Sequence, residues 1–140
     1  MSILKRRKNI TLQQRLAQLT GHLAEINGEG LGLEPGRLQR VFKRNFIQVS
    51  GELFVPLSLQ SIRVFDVKPA ARTVRVGLRT TFKTGKAFSS IRLVQIGTDF
   101  VEVQAKGKFP SRILFPLNKI EGIFPVGYHA APSKTASVSK

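Results

Sequence analysis

The chain has 140 residues, with 23 lysines and arginines against 8 aspartates and glutamates, a formal net charge of +15. Without a single cysteine, disulfides, thiolate metal sites and cysteine nucleophiles are excluded together, and a reducing compartment fits. The positive field favours anionic partners, whether nucleic acid, another polyanion, an acidic protein or a membrane surface, without choosing among them.

Residues 1–20 read as a basic arm and a short helix. Lys5-Arg6-Arg7-Lys8 is followed by Asn9-Ile10-Thr11-Leu12-Gln13-Gln14, which is no h-region, so no secretory signal is expected. No apolar run approaches the roughly 20 residues that span a bilayer, and no transmembrane segment is expected. Thr11 suits an N-cap, with Leu12, Leu16, Leu19 and Leu23 forming a partial apolar stripe, and the helix is expected to end near Gly21. Such a helix would plug an open end of the sheet that follows.

Residues 21–66 form a first strand-rich unit. His22 to Ile26 opens it, and the glycine-rich stretch from Gly28 to Gly36 connects to the next strand. A dinucleotide fingerprint needs a helix after its glycines, whereas Pro35-Gly36 leads into strand, so a loop opening a hairpin is the better reading. Leu38 to Val49 and Glu52 to Phe65 complete the unit, and residues 67–72 are a linker.

Residues 73–126 form a second unit. Val74, Val76, Leu78 and Phe82 fall on one face of a strand, with Arg75, Arg79 and Lys83 on the other. Thr84-Gly85-Lys86 is a turn, and Phe88 to Ile96 returns. Val101 and Val103 alternate with Glu102 and Gln104 as in a half-buried strand. Ala105 to Lys108 turns, and two apolar runs follow, Ile113-Leu114-Phe115 and Ile120 to Phe124, with Pro116 at a strand edge or bend. Residues 127–140 lack periodicity and read as a disordered tail.

The two units are copies. Asn45-Phe46-Ile47-Gln48-Val49 matches Asp99-Phe100-Val101-Glu102-Val103 position for position, and Val55-Pro56-Leu57 answers Phe115-Pro116-Leu117. A unit of about 50–60 residues buries only some 60% of its unfolded surface, so the halves should pack together or the protein should assemble. The fold class expected is all-β with a short N-terminal helix and two small five-stranded barrels.

The segments L-x-x-I-G-T-D-F-V-E-V and F-P-L-N-K-I-E-G-I of the second unit, with G-R-L-Q-R-V-F-K-R-N-F-I-Q-V-S-G and L-S-L-Q-S-I-R-V of the first, resemble the Sm-like barrel superfamily. Within it, Leu33-Glu34-Pro35-Gly36-Arg37-Leu38 and Leu59-Gln60-Ser61-Ile62 are similar to segments of the bacterial spore-coat protein B family, over roughly residues 20–126. That resemblance implies tandem SH3/Sm-like barrels in a structural protein that self-associates and meets other structural proteins. It also implies an intracellular site, the spore coat if the source forms spores. The same superfamily holds RNA chaperones, which supplies a rival reading as an RNA- or DNA-binding protein. By that likeness Phe46 and Phe100 take the base-stacking position. The Lys-His pair of those chaperones is missing; Asn118-Lys119 and Gln60-Ser61 stand near its place, and Lys119 alone supplies a charge.

From the residues themselves, Phe46 and Phe100 point away from the inner face and serve either packing and interface or base stacking. Arg37, Arg40, Lys43 and Arg44 form one basic cluster and Arg75, Arg79, Lys83 and Lys86 another. Each is either a solvated face or an anion-binding surface. Lys5 to Lys8 could draw the chain to an acidic surface. His22 and His129 are the only histidines, without metal-ligand spacing, so no metal, cofactor or enzymatic activity is expected. Asp99 reads as a turn residue bonding backbone amides.

Overall fold

A computed structural model describes residues 3–28, 30–81, 87–105, 107 and 110–126. One α-helix, α1 (Leu12–Ala17), precedes ten strands: β1 (Leu23–Asn27), β2 (Gly36–Val41), β3 (Ile47–Val49), β4 (Glu52–Phe54) and β5 (Ser61–Phe65), then β6 (Val74–Thr80), β7 (Ala87–Ile96), β8 (Phe100–Ala105), β9 (Ser111–Pro116) and β10 (Ile120–Pro125). Single 3-10 turns cover Leu4–Arg6, Pro56–Ser58 and Leu117–Lys119. Phe82, the Thr84-Gly85-Lys86 turn, Lys106, Lys108, His129 and the tail lie outside the described residues.

All pairings between strands are antiparallel, in one sheet of order β10-β6-β7-β8-β9-β5-β1-β2-β3-β4. The order repeats. The fifth strand of each half lies beside the first, followed by the second, third and fourth. The copies also share register: Ile47 faces Phe54 and Gln48 faces Leu53, as Val101 faces Phe115 and Glu102 faces Leu114. The halves join where β9 pairs with β5, Ile62 opposite Leu114 and Val64 opposite Arg112. The sheet is not closed, because its outer strands β4 and β10 pair with nothing further among the described residues. The molecule is thus mostly β with one short helix, and its ten strands are continuous rather than two separate sets.

Two apolar cores lie along this sheet. One gathers Leu12, Leu16 and Leu19 with Ile26, Leu38, Ile47, Val49, Phe54, Ile62 and Val64 of the first half, and takes in Phe100 and Leu114 of the second. The other holds Val76, Leu78, Leu93, Val101, Val103 and Phe115, closed by Ile3 of the arm. β8 and β9 therefore feed both cores. This corrects the half-buried reading of β8: residues 100–103 are buried on both faces, since the helix and first half cover the side that alternation assigned to water.

The helix starts as its sequence demands. Thr11 Oγ1 accepts from the Gln14 amide at 3.1 Å and Gln14 Oε1 from the Thr11 amide at 2.9 Å, a reciprocal capping box. Six residues are too few to hold a helix alone, so the buried Leu12 and Leu16 fix it. The arm ahead of it is tied to β7, with the Arg6 Nε donating to Val94 O at 3.1 Å and the Lys8 amide to Ile96 O at 2.8 Å.

Candidate functional site

The densest polar cluster sits at the junction of the halves. Glu102, fully buried on β8, accepts from Arg15 Nε at 2.7 Å and Nη2 at 2.9 Å, from Arg112 Nη1 at 2.7 Å and from Gln95 Nε2 at 2.8 Å. Helix, β7 and β9 thus meet on one carboxylate of β8, and Arg112 Nη2 ties the linker in by donating to Lys68 O at 2.5 Å. Burial alone would raise its pKa; the hydrogen bonds and charge of Arg15, with Gln95 and Arg112, outweigh that and hold it below its ordinary value. A carboxylate ionised and fully engaged by donors acts as a lock rather than as a base.

One turn earlier, Asp99 Oδ1 accepts the Leu12 amide at 2.7 Å. The expectation that Asp99 bonds backbone amides is met across the molecule, at the first turn of α1, rather than within its own turn. His22 Nδ1 lies 2.9 Å from Phe65 O, and no group of three metal-ligating side chains occurs among the described residues.

The basic candidates divide by half. Arg37 and Arg40 on β2, with Lys43 and Arg44 in the β2–β3 loop, are all exposed beside exposed Phe46. Arg37 Nη1 donates to Gly21 O at 3.0 Å, and the Arg40 guanidinium lies 4.5 Å from the Phe42 ring centre. Arg75 and Arg79 are exposed on β6, while Lys83 and Lys86 lie outside the described residues. β2 and β6 are separated in the sheet by β1, β5, β9, β8 and β7, so the two clusters occupy different strands' faces. Lys119 ends a 3-10 turn and is half-buried.

Phe100 requires correction as a stacking residue. It is 0% exposed, packed in the first core with Leu12 and Leu16, and no base can reach it. The packing reading of that position holds. Its copy Phe46 is 41% exposed. Likewise Leu114 is 0% exposed and its register equivalent Leu53 is 53% exposed. The counterparts of these two buried residues are open, Leu53 on the edge strand β4 and Phe46 just before β3. Comparison with family models, curated proteins and solved structures finds no match.

The amides follow the same division. Where Asp99 and Glu102 meet α1 and its Arg15, the first half carries Asn45 and Gln48. Asn45 sits at φ 68°, a left-handed conformation that asparagine tolerates. Sequence reasoning missed Glu102, Arg15, Arg112 and Gln95. The signal was present in the duplication, as the exchange of Gln48 for Glu102 marks a position whose second copy has a cationic partner.

Proposed function

We propose that this chain is a non-catalytic assembly protein, built from two Sm-like modules, that self-associates through its open sheet edges. The reading follows the likeness of its sequence to the spore-coat family. The observation that carries it is the contrast between buried Phe100 and Leu114 and exposed Phe46 and Leu53. Inside the chain, a fourth strand (β9) is covered by a fifth strand (β5). β4 and β10 are the same two kinds of edge, and a second copy offers both. Pairing β4 of one copy with β10 of the next is heterologous, so it builds a ring or an open filament rather than a two-fold dimer.

Magnitudes set the strength of this contact. β4 has three residues, and β10 carries an irregularity between Ile120 and Gly122 and ends in Pro125, features that limit an edge ladder. Side chains must therefore supply the affinity. Covering the exposed parts of Phe46 and Leu53 yields about 1–2 kcal/mol each, and exposed Val55 and Leu57 follow at alternate positions. Against an association cost of about 4–15 kcal/mol, one contact is weak, so association needs concentrated protein, and closure of a ring strengthens it by adding a contact without a further partner.

The two positions that are ionic at the internal junction are uncharged in the first half, as Asn45 and Gln48 replace Asp99 and Glu102. Copies of net charge +15 repel, and salt screens that repulsion. Sedimentation velocity over a concentration series should show association that strengthens with salt and is abolished by Leu53→Lys. A monomer at every concentration and salt would remove this function. The rival reading as an Sm-like RNA binder loses Phe100 and keeps only Phe46 at the stacking position.

A further inference from the structure

We propose that the outer face of β6, β7 and β10 is a platform for single-stranded nucleic acid, with Arg75, Arg92 and Arg79 holding phosphates and Phe124 receiving a base. The face shares β10 with the open edge used in the proposed assembly, but it rests on side chains above the sheet, not on the unpaired backbone of that edge.

Arg75 on β6 stands directly opposite Arg92 on β7. Like charges so placed destabilise an antiparallel pair. Here neither meets a carboxylate: Arg75 Nη2 donates to Ser90 Oγ at 2.9 Å and Arg92 Nη1 to Thr73 Oγ1 at 3.4 Å. Among the described residues both ion pairs belong to Glu102. The pair is uncompensated, and its guanidiniums turn opposite ways along the strands to Ser90 and Thr73, which spaces two cations for separate phosphate groups, whose oxygens accept paired N–H donors.

Arg79 lies on the same face of β6, two strand steps of alternation from Arg75. Its guanidinium sits 5.5 Å from the centre of the Phe124 ring. Phe124 pairs across β10–β6 with Gly77, and any Cβ at that glycine would strike the ring. The missing side chain thus lets the phenyl group settle against the backbone between Arg75 and Arg79. Cation, ring, cation is the order in which a single strand presents phosphate, base and phosphate. Base–aromatic stacking beside cations is tolerant of sequence. A duplex would hide its base faces from the ring, whereas a single strand can stack a base on it.

The cluster on β2 differs. Across the strands Arg37 faces Leu23 and Arg40 faces Gln48, so in these pairs neither stands opposite a second arginine. That makes it the control, since Arg37→Gln/Arg40→Gln removes the same charge as Arg75→Gln/Arg92→Gln.

The test is anisotropy of the full chain with labelled oligouridylate across a salt series. Arg75→Gln/Arg92→Gln should weaken binding at least tenfold and lower the log–log salt slope by roughly 1.4, two single-strand phosphate contacts; the control pair should change affinity less than about threefold. Phe124→Leu keeps an apolar cover over Gly77, and should weaken oligouridylate roughly tenfold while leaving inorganic polyphosphate binding unchanged. Equal losses from the two arginine pairs would overturn the platform in favour of a diffuse field. So would an unaltered Phe124→Leu, or tighter binding to duplex or to anionic vesicles than to the single strand.

Discussion

Glu102 and Arg112 are both buried, and their attraction must offset the cost of removing two charges from water. Removing one partner leaves the other charge stranded, so Glu102→Ala should lose about 3–5 kcal/mol of unfolding free energy in urea titrations. The acid limb of stability follows from the same contact. With its folded pKa below the ordinary value, Glu102 contributes fully above the ordinary carboxylate range and loses that contribution as pH falls through the folded pKa. A chain carrying Glu102→Gln should therefore show a shallower fall in stability below the ordinary carboxylate range; an unchanged fall would place the acid sensitivity elsewhere. Phe100 and Phe46 offer a second comparison. Phe100→Ala opens a cavity in the first core and should cost about 3–5 kcal/mol. Phe46→Ala should leave the melting temperature nearly unchanged and weaken self-association. Equal destabilisation by both would contradict the assigned environments.

At the scale of elements, alternation and capping were legible because they depend on neighbours in sequence. Thr11 announces the helix start, and Val74, Val76 and Leu78 announce the inner face of β6. What sits on the far face of a strand is not a local property. Glu102 alternates with Val101 and Val103 as a solvent-facing residue would, yet it is buried because α1 and the first half come from distant sequence to cover it. Phe100 was ambiguous for the same reason. Its copy Phe46 has identical local sequence logic and a different neighbour, and only the neighbour decides its exposure. Arg92 and Phe124 were also overlooked, since their meeting with Arg75 and Arg79 depends on register across β7–β6–β10.

At the scale of the whole molecule, the duplication visible in the sequence reappears as a repeated strand order. The joining of the copies into one open sheet was not legible, because the pairing of β9 with β5 links segments whose apolar patterns are compatible with several edges. That junction explains how two small cores stabilise each other: β8 and β9 bury residues in both, so neither half carries the cost of a full surface alone. Among the described residues it leaves one fourth strand and one fifth strand without a partner, and the proposed assembly starts from those two edges. Salt separates the two proposed activities, strengthening association between copies and weakening contacts to phosphate.

Mixing two edge-blocked chains tests the assembly most directly. Leu53→Lys blocks β4. Glu121→Pro blocks β10 at the residue skipped between the Ile120–Thr80 and Gly122–Arg79 pairs, where proline is tolerated. At concentrations well above those where the unaltered chain first assembles, each variant alone should sediment as a monomer, and the mixture should give a one-to-one complex that grows no further. A monomeric mixture, or a single variant that still assembles, would contradict head-to-tail pairing of β4 with β10.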